Sequence, residues 1–416
     1  MVNCVNELLL QITRDFGTPC FVYFFDKVVE RVGYLRQSFD QHFYISYAVK
    51  SNPNPEILRG LQGQVNLLDV SSGGELLRAI KQGWAPELLS FTGPGKRDSE
   101  LRMAVSQKIG EVIVESVNEA ERLNAIAAQA GVTQGILVRI APKKLPRGFG
   151  VNMSGKPTQF GIDEEEINQA VTLIKQLPHL DLQGFHIYSG TQCLRPESIV
   201  ENYQIFIDIF RYVCETHNVN PKKLIFGSGL GIPYHEGDQP LDLTAVATRI
   251  NPVLEAFQQE SRFSQTQFIL ELGRYLIGEA GFYLTRVINK KLSRGTEICV
   301  CDGGMNHHLG ACGHLGSVIH RNYQMFKVTQ EEEAVTQTYN LVGPLCTSID
   351  TLGHNVKLPA LDVGDVIAIR CSGAYGLTAS PVYFISHEPP KEILVKTVKE
   401  VLSIQDISQL SVRSLY

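Results

Sequence analysis

Short apolar runs recur along the first two thirds of the chain, and each ends in a polar or glycine-containing turn. Helix-like segments lie between them, as in NEAERLNAIAAQAG (118–131), where apolar residues recur at i, i+3 and i+4 before a glycine. Strands that alternate with helices predict parallel βα units. The strand-like runs are YISYAV (44–49), NLLDV (66–70), LSFT (89–92), EVIVE (111–115), GILVRI (135–140), LQGFHIY (182–188), KLIFG (223–227) and QFILE (267–271).

Eight such units over about 230 residues favour an α/β fold, a (β/α)8 or TIM-like barrel. A doubly wound parallel sheet is the alternative, but eight units are hard to fit into it. From about residue 280 the connections shorten, which predicts an antiparallel β domain with the runs GFYLTRVI, EICVC, DVIAIRC, PVYFIS and EILVKTV. We expect CFVYFF (20–25) to join this domain. The predicted barrel then spans 26–279, and a β-sandwich-like domain combines 1–25 with 280–416.

Composition narrows the class of protein. The chain has 416 residues, a net charge of −5, 19% charged and 44% apolar residues. These values indicate a sizeable core and argue against binding to nucleic acid or to an anionic membrane. No apolar run approaches the roughly 20 residues of a membrane helix, and the N-terminus lacks signal-peptide features. Nine scattered cysteines without a CxxC pair favour a reducing, cytoplasmic location.

Polar residues gather at the predicted strand ends, where barrels of this type place their function. Lys50 ends the first strand in FYISYAVKSNPNPEIL. Lysine is rarely buried, so the residue either extends from the strand end to solvent or forms a Schiff base with a carbonyl group. The strand ends that follow decide between these alternatives.

Three further features complement the lysine. Gly227, Ser228 and Gly229 open a glycine-rich turn, GSGLG, whose backbone N–H groups could bind a phosphate, although most such turns are only tight connections. His186 and Tyr188 lie two apart in one strand, so they point to one side, where a ring could stack on a flat cofactor or simply pack. Glu271 could hold a proton on a heterocyclic nitrogen or pair with Arg274. A lysine, a phosphate cradle, a stacking ring and a carboxylate together describe a site for pyridoxal 5′-phosphate (PLP).

The chain resembles the group IV, alanine-racemase-fold PLP decarboxylases, typified by diaminopimelate and ornithine decarboxylases. The resemblance covers nearly the whole sequence. It is carried by motifs in the family's order: YAVKSNPNPEIL, LDVSSGGELLRAI, FTGPGK, FGSGLGI, ELGRYL, CDGGMN, GPLCTSID and SGAYG. It implies a fold type III PLP enzyme, a carboxy-lyase acting on an L-amino acid, and a homodimer with shared active sites.

Residue roles follow from the resemblance by position. Lys50 would carry the cofactor as a Schiff base, and Cys346 would donate a proton across the dimer interface, although a free cysteine is usually a small buried hydrophobe. The cofactor contacts would be Lys50, His186, Tyr188, Gly227, Ser228, Gly229, Glu271, Gly273, Arg274 and Tyr375. The substrate contacts would be Arg274, Arg321, Tyr323, Thr347 and Tyr375. The family's stacking histidine aligns with Tyr188, so the resemblance leaves open whether Tyr188 or His186 stacks.

One departure from the family bears on the substrate. Diaminopimelate decarboxylases usually have glutamate after the cysteine and ornithine decarboxylases aspartate, whereas this chain has Thr347. A neutral hydroxyl cannot replace a charge-assisted bond to a distal ammonium. The segments around 146–163 and 303–323 resemble the subgroup that includes the butirosin-pathway L-glutamyl-[acyl-carrier-protein] decarboxylase. A carrier-tethered or distally uncharged amino acid is therefore expected, and Lys143, Lys144 and Arg147 could contact an acidic acyl carrier protein or form an ordinary solvated loop.

Three alternatives stay open at this stage: a decarboxylase of free diaminopimelate, ornithine or lysine, a PLP racemase, and a non-catalytic homologue. The intact motifs disfavour the last two. His307, His308, Cys312, His314 and His320 match no standard metal-ligand spacing. We therefore expect no metal site there, and we expect this segment to be a loop near the substrate entrance.

Overall fold

The computed structural model describes residues 2–313, 321–329 and 337–409. Within them the α-helices are α1 (Val2–Phe16), α2 (Phe25–Ser38), α3 (Pro55–Gly60), α4 (Gly73–Lys81), α5 (Asp98–Gln107), α6 (Val117–Ala130), α7 (Ile167–Ile174), α8 (Pro196–Thr216), α9 (Leu243–Gln259) and α10 (Arg274–Ile277). None of these helices combines the length and apolar character that crossing a bilayer requires.

The β-strands of the described residues are β1 (Cys20–Phe24), β2 (Tyr44–Ala48), β3 (Leu67–Val70), β4 (Leu89–Phe91), β5 (Glu111–Val114), β6 (Gln134–Ala141), β7 (Val151–Asn152), β8 (Ile162–Asp163), β9 (Leu180–Ile187), β10 (Gly190–Thr191), β11 (Lys223–Gly227), β12 (Gln267–Leu272), β13 (Gly281–Ser293), β14 (Thr296–Cys301), β15 (Met325–Lys327), β16 (Gln337–Val342), β17 (Thr351–Leu358), β18 (Val366–Ile369), β19 (Lys391–Val398) and β20 (Val401–Asp406).

Contacts divide the described chain into two units. The barrel unit contains 30–231 and 240–275, and the β unit contains 2–29, 232–239 and the described residues from 276 onward. In the barrel unit, eight parallel strands close in the order β2–β3–β4–β5–β6–β9–β11–β12 and back to β2. The short strand β8 pairs with the end of β6. The predicted (β/α)8 barrel is confirmed, and each of the eight predicted runs overlaps one of its strands.

A buried apolar cluster stabilises the inside of the barrel, and local sequence signals set the ends of its helices. Leu67, Ile113, Leu137, Ile225 and Ile269 come from five different strands and form one buried cluster. Burying each such side chain contributes about 1.5–3 kcal/mol to folding. The helices outside begin and end on short-range signals as well. The hydroxyl of Ser116 accepts a hydrogen bond from the Glu119 amide at the start of α6, and Gly131 ends this helix in the left-handed conformation.

Strand register sets the chemistry at the carboxyl edge of the barrel. Gly227 at the end of β11 lies opposite Glu271 of β12, and Ala48 at the end of β2 lies opposite Asp69 of β3. Because β12 also pairs with β2, Glu271 faces Ser46 on its other side. Parallel strands in this register bring residues from distant parts of the sequence to one edge.

The β unit is a mixed sheet in the order β17–β16–β14–β13–β1–β19–β20, with β18 paired to both β13 and β15. Most pairs are antiparallel, as expected, but β1–β19 and β14–β16 are parallel. Helix α1 packs Leu9 and Ile12 against a core that includes Val22, Leu284 and Ile393. The run at 20–25 therefore contributes its strand to this sheet.

One predicted strand of the β unit is wrong. Residues 381–386 (PVYFIS) form a turn rather than a strand. Ile385 and Ser386 have φ angles of 60° and 58°, which no extended strand contains. Tyr383, Phe384 and Ile385 are 47%, 45% and 46% exposed. A run of apolar residues here reflects an exposed surface, so composition alone was misleading.

Substitution of Gly184 in β9 tests how strands β6 and β9 pack in the closed barrel. The β6–β9 register shifts so that Ile136 faces Leu182 while Leu137 faces Gly184, and a Cβ on Gly184 would lie 1.8 Å from the Lys223 carbonyl oxygen. We expect Gly184→Ala to destabilise the protein by about 1–3 kcal/mol, measured as a lower Tm. Gly33→Ala is the control, because a Cβ there meets nothing within 4 Å in α2. An unchanged Tm in Gly184→Ala would contradict the bulge.

Candidate active site

Lys50 follows β2 in a short 3-10 turn, Val49–Ser51. The Ser51 hydroxyl donates to the Ala48 carbonyl (2.8 Å), which fixes this turn at the carboxyl edge of the barrel. Lys50 Nζ lies 3.3 Å from Asp69 Oδ2, with the lysine side chain 42% exposed and the aspartate side chain 1% exposed. The amine therefore combines a buried carboxylate partner with access to solvent, as a group that must react with a small molecule requires.

Asp69 is a site residue that the sequence interpretation did not select. Burial, followed by the charge of Glu271, raises the pKa of Asp69 to about 7, while Lys50 opposes the shift. Its position at the end of a barrel strand was the available signal. The sequence could not show that two carboxyl groups, Asp69 and Glu271, share one low-dielectric region with a single lysine.

Glu271 and His186 form a buried pair in the barrel. His186 Nε2 lies 3.1 Å from Glu271 Oε2, and their side chains are 1% and 4% exposed. Burial lowers the pKa of His186, so the imidazole is neutral near pH 7 and donates to the carboxylate. Burial alone would raise the pKa of Glu271, but the hydrogen bond from His186 and the charges of Lys50 and Arg139 hold it below its ordinary value. Glu271 is therefore ionised.

Tyr188 occupies a different position from His186. Its ring packs against Gly227, where a Cβ would lie 2.3 Å from Tyr188 Cδ2. The absence of a side chain at Gly227 thus makes room for this ring beside the end of β11. Tyr188 is half-buried, whereas His186 is buried against Glu271.

The glycine-rich turn after β11 has backbone groups that suit an anion. The Ser228 amide donates to the Glu271 carbonyl (3.2 Å), and the Gly231 amide donates to the Cys193 carbonyl (2.9 Å). The described residues provide no acceptor for the amides of Gly229 and Leu230. Gly229 has φ +67°, and a Cβ there would lie 2.6 Å from Phe149. Two such N–H groups in one turn can bind a phosphate.

Gly273 and Arg274 follow Glu271 directly. A Cβ on Gly273 would lie 2.9 Å from Ser51 Cβ, so this glycine allows the end of β12 to pack against the turn that carries Lys50. Arg274 is half-buried and begins α10. The barrel unit thus brings together the predicted residues Lys50, His186, Tyr188, Gly227, Ser228, Gly229, Glu271, Gly273 and Arg274 around the carboxyl ends of β2, β9, β11 and β12.

A buried network of ion pairs supports the carboxyl edge of the barrel. The sequence analysis did not predict this network. Arg139 Nη1 lies 3.0 Å from Glu115 Oε1, and Lys96 Nζ lies 2.6 Å from Glu119 Oε1. Glu115 also accepts the amides of Gly93 and Gly161 at 2.9 Å each. A buried pair keeps its geometry only when its remaining lone pairs are satisfied, as here. The pairing could not be read from the sequence, because the partners lie 22 to 46 positions apart.

The β unit contains the other predicted site residues. Cys346 and Thr347 lie in a loop after β16, where the Cys346 side chain is exposed and the Thr347 amide donates to the Leu345 carbonyl (2.8 Å). Tyr375 has φ +54°, a strained value for a non-glycine residue that structures tend to keep at functional positions. Arg321 pairs with Asp238 at 2.8 Å.

His307 and His308 of the β unit are interior side chains of the turn segment that follows β14. His308 Nε2 lies 3.0 Å from Ser372 Oγ, and His307 Nδ1 lies 3.2 Å from the Tyr283 hydroxyl. Burial lowers the pKa of His307 to about 4 and that of His308 to about 3. Tyr323 packs its ring 5.6 Å from His308. The described residues contain no cluster of metal-ligating groups, and His314 and His320 lie outside them.

Comparison with known proteins agrees with this geometry. The family model described as "Pyridoxal-dependent decarboxylase, pyridoxal binding domain" matches residues 25–278. The L-glutamyl-[BtrI acyl-carrier protein] decarboxylase of Niallia circulans is 33% identical over 94% of this chain and 92% of its own. The 2-[(L-alanin-3-ylcarbamoyl)methyl]-2-hydroxybutanedioate decarboxylase of Staphylococcus aureus is 28% identical over 96% of this chain and all of its own (100%).

A solved structure has the same fold. Diaminopimelate decarboxylase of Helicobacter pylori in complex with L-lysine superposes with a TM-score of 0.85 at 27% identity, covering 98% of each chain. The likeness therefore extends over both the barrel strands and the mixed sheet.

From the raised pKa of Asp69 we predict how the free energy of unfolding depends on pH. The folded state keeps a proton that an unfolded aspartate releases above about pH 4, so stability falls as the pH rises from about 4 to about 7. Asp69→Asn removes this linkage. We expect the Tm of cofactor-free protein to fall less between pH 5 and pH 8 in Asp69→Asn than in the wild type.

Asp208→Asn provides the control, because this carboxylate is 60% exposed. It should keep the wild-type slope of Tm against pH. A wild-type slope in Asp69→Asn would mean that Asp69 titrates normally.

Proposed function

The chain belongs to the pyridoxal-dependent decarboxylases, and on that premise we propose that it decarboxylates an L-amino acid whose side chain has no distal ammonium group, in particular one tethered to an acyl carrier protein. The observation that carries the proposal is the loop after β16. Its residue after Cys346 is the neutral Thr347, and its carboxylate, Asp350, is 3% exposed with both oxygens accepting backbone amides. The loop has no carboxylate left for a substrate ammonium.

The residues of the barrel fit the family's cofactor. Lys50 would hold it covalently, and the free amides of Gly229 and Leu230, with Arg274, would hold its phosphate. Tyr188 is the better candidate for ring stacking, since His186 is committed to Glu271. The ionised Glu271 would keep a proton at the pyridine nitrogen. When bound, PLP accepts the electron pair left on the α-carbon as carbon dioxide departs.

Cys346 would supply the proton that replaces the lost carboxylate, and Tyr375, Arg321, Tyr323 and Thr347 would contact the substrate. We propose a homodimer in which the Cys346 loop of one subunit completes the site of the other. An exposed thiol in the same loop as Ile349, which is 50% exposed, suits a loop that meets a partner. The free cysteines of the described chain suit a cytoplasmic location.

A carrier protein is the proposed source of the amino acid. Carrier proteins of this kind present an acidic surface, and Lys143, Lys144 and Arg147 are exposed in one segment of the barrel unit. Lys143 also lies 3.5 Å from Glu165, an exposed pair that contributes little to stability and could exchange for an acidic partner. The Niallia circulans relative, by its name, acts on such a carrier-bound substrate.

Decarboxylation of a free diamino acid is the second candidate. It is favoured by the 98% overlap with diaminopimelate decarboxylase in complex with L-lysine. It requires a carboxylate receptor outside the Cys346 loop. The two candidates differ in substrate, not in the chemistry at the α-carbon.

Cofactor attachment is the first test. Purified protein should be yellow, and borohydride should fix PLP to Lys50, identified by peptide mass spectrometry. Lys50→Ala should be colourless after dialysis, whereas Lys81→Ala, which changes an exposed lysine at the end of α4, should stay yellow. A wild type that never binds PLP would remove the proposal.

Substrate choice is the second test. Carbon dioxide release is compared for L-glutamyl-carrier protein, free glutamate, diaminopimelate, ornithine and lysine. We expect carrier-bound glutamate to exceed the free diamino acids by at least about 100-fold in kcat/KM, because a distal ammonium would be left unpaired.

Two variants sharpen this comparison. Thr347→Glu should raise activity on diaminopimelate, whereas Ser348→Glu, at the following position, which is exposed, should not. Efficient turnover of diaminopimelate by the wild type would refute the argument from Thr347.

A further inference from the structure

Asp350 is a buried carboxylate that the proposed chemistry does not use. It is 3% exposed and lies at the end of the loop that contains Cys346. Its Oδ1 accepts the Met305 amide at 2.6 Å, and its Oδ2 accepts the Leu345 amide at 2.8 Å. One side chain thus joins the segment after β14 to the residue immediately before Cys346.

Two glycines make room for this carboxylate. A Cβ on Gly304 would lie 2.2 Å from Asp350 Oδ1, and a Cβ on Gly343 would lie 2.3 Å from Oδ2. The Gly343 amide also donates to the Asp350 carbonyl at 3.0 Å, which closes the loop on itself. The loop 343–350 is therefore fixed at both ends and in its middle, while the thiol of Cys346 stays exposed.

We infer that Asp350 is a positioning residue for Cys346, which it holds by binding the Leu345 and Met305 amides so that the thiol is presented in one orientation. The inference rests on the proposed role of Cys346 as proton donor. In that step the S–H bond breaks and a C–H bond forms with the electron pair left by carbon dioxide. The resulting thiolate then regains a proton from solvent, so charge and atoms balance.

A carboxylate suits this position because both contacts are donors. Asparagine has the same shape but only one acceptor oxygen, so one buried N–H would face the amide NH₂ of Asp350→Asn. An unsatisfied buried donor is costly, and the loop would move to relieve it. A displacement of about 1 Å at a reacting group can lower turnover on the order of 100-fold.

A double-mutant cycle separates positioning from general stability. Asp350→Asn, Cys346→Ala and the double variant are compared with the wild type as PLP-loaded enzymes, using L-glutamyl-carrier protein or diaminopimelate, whichever the wild type turns over. Asp350→Asn is expected to lower kcat about 10-fold to 100-fold with little change in KM. In the Cys346→Ala background it should have little further effect, because the group it positions is gone.

Product stereochemistry gives an independent readout. Decarboxylation in D2O by the wild type should place one deuteron on one face of the α-carbon. Asp350→Asn and Cys346→Ala should both yield mixed configurations. Asp365→Asn is the matched control, since Asp365 Oδ2 accepts the Asp362 amide at 2.7 Å in a different turn of the β unit and should leave the stereochemistry unchanged.

Hydrogen exchange tests, without any substrate, whether Asp350 holds the loop 343–350 in place. The peptide over 343–350 should be protected in the wild type and in Asp365→Asn, and should lose protection in Asp350→Asn. Unchanged protection would overturn the inference.

The outcomes also distinguish this inference from the proposed function. If Cys346→Ala leaves turnover unchanged, the proton-donor role fails, and the positioning role fails with it. If Cys346→Ala is impaired but Asp350→Asn is normal, or lowers kcat equally in both backgrounds, the positioning role alone fails.

Discussion

The hydrogen-bonded closure between β12 and β2 is the constraint on which the site depends. This pairing completes the ring of eight parallel strands and sets Glu271 opposite Ser46, while the β11–β12 pairing sets it opposite Gly227. A parallel ladder has a side-chain period of two, so a slip of one residue would turn Glu271 away from His186. The strand register that closes the barrel therefore also fixes the position of the buried Glu271 carboxylate.

Burying the carboxyl groups of Asp69 and Glu271 at that edge costs free energy, which neighbouring charges and hydrogen bonds must offset. Burial, followed by repulsion from Glu271, raises the pKa of Asp69, whereas the hydrogen bond from His186 and the charges of Lys50 and Arg139 hold the pKa of the buried Glu271 below its ordinary value. Two buried carboxyl groups separate in this way when one has the better hydrogen-bond partners. The difference in pKa leaves an ionised carboxylate, Glu271, beside His186 and a more weakly acidic carboxyl group, Asp69, beside Lys50.

The sequence was sufficient for the barrel and for most of its strand ends, because each strand is a short apolar run that closes at a polar residue. It was insufficient where contacts join distant positions. Asp69 and the Glu115–Arg139 pair gain their meaning only from the register of neighbouring strands. The β unit was harder still, since the exposed turn at 381–386 is as apolar as a strand, and the parallel β14–β16 pair has no local signature.

Chain order in the β unit has a consequence for biosynthesis. Strand β1 pairs with β13 and β19, and Tyr23 bonds to Glu392, which lies 369 positions later. At the usual pace of translation, roughly 5–20 residues per second, β1 leaves the ribosome on the order of 20–70 s before its last partner. Until β13 emerges, CFVYF is an apolar strand with two unpaired edges, and one edge stays unpaired until β19 emerges. An unpaired apolar strand edge is the kind of segment that aggregates. The nascent chain thus exposes an aggregation-prone segment long before the last strand that will cover it exists.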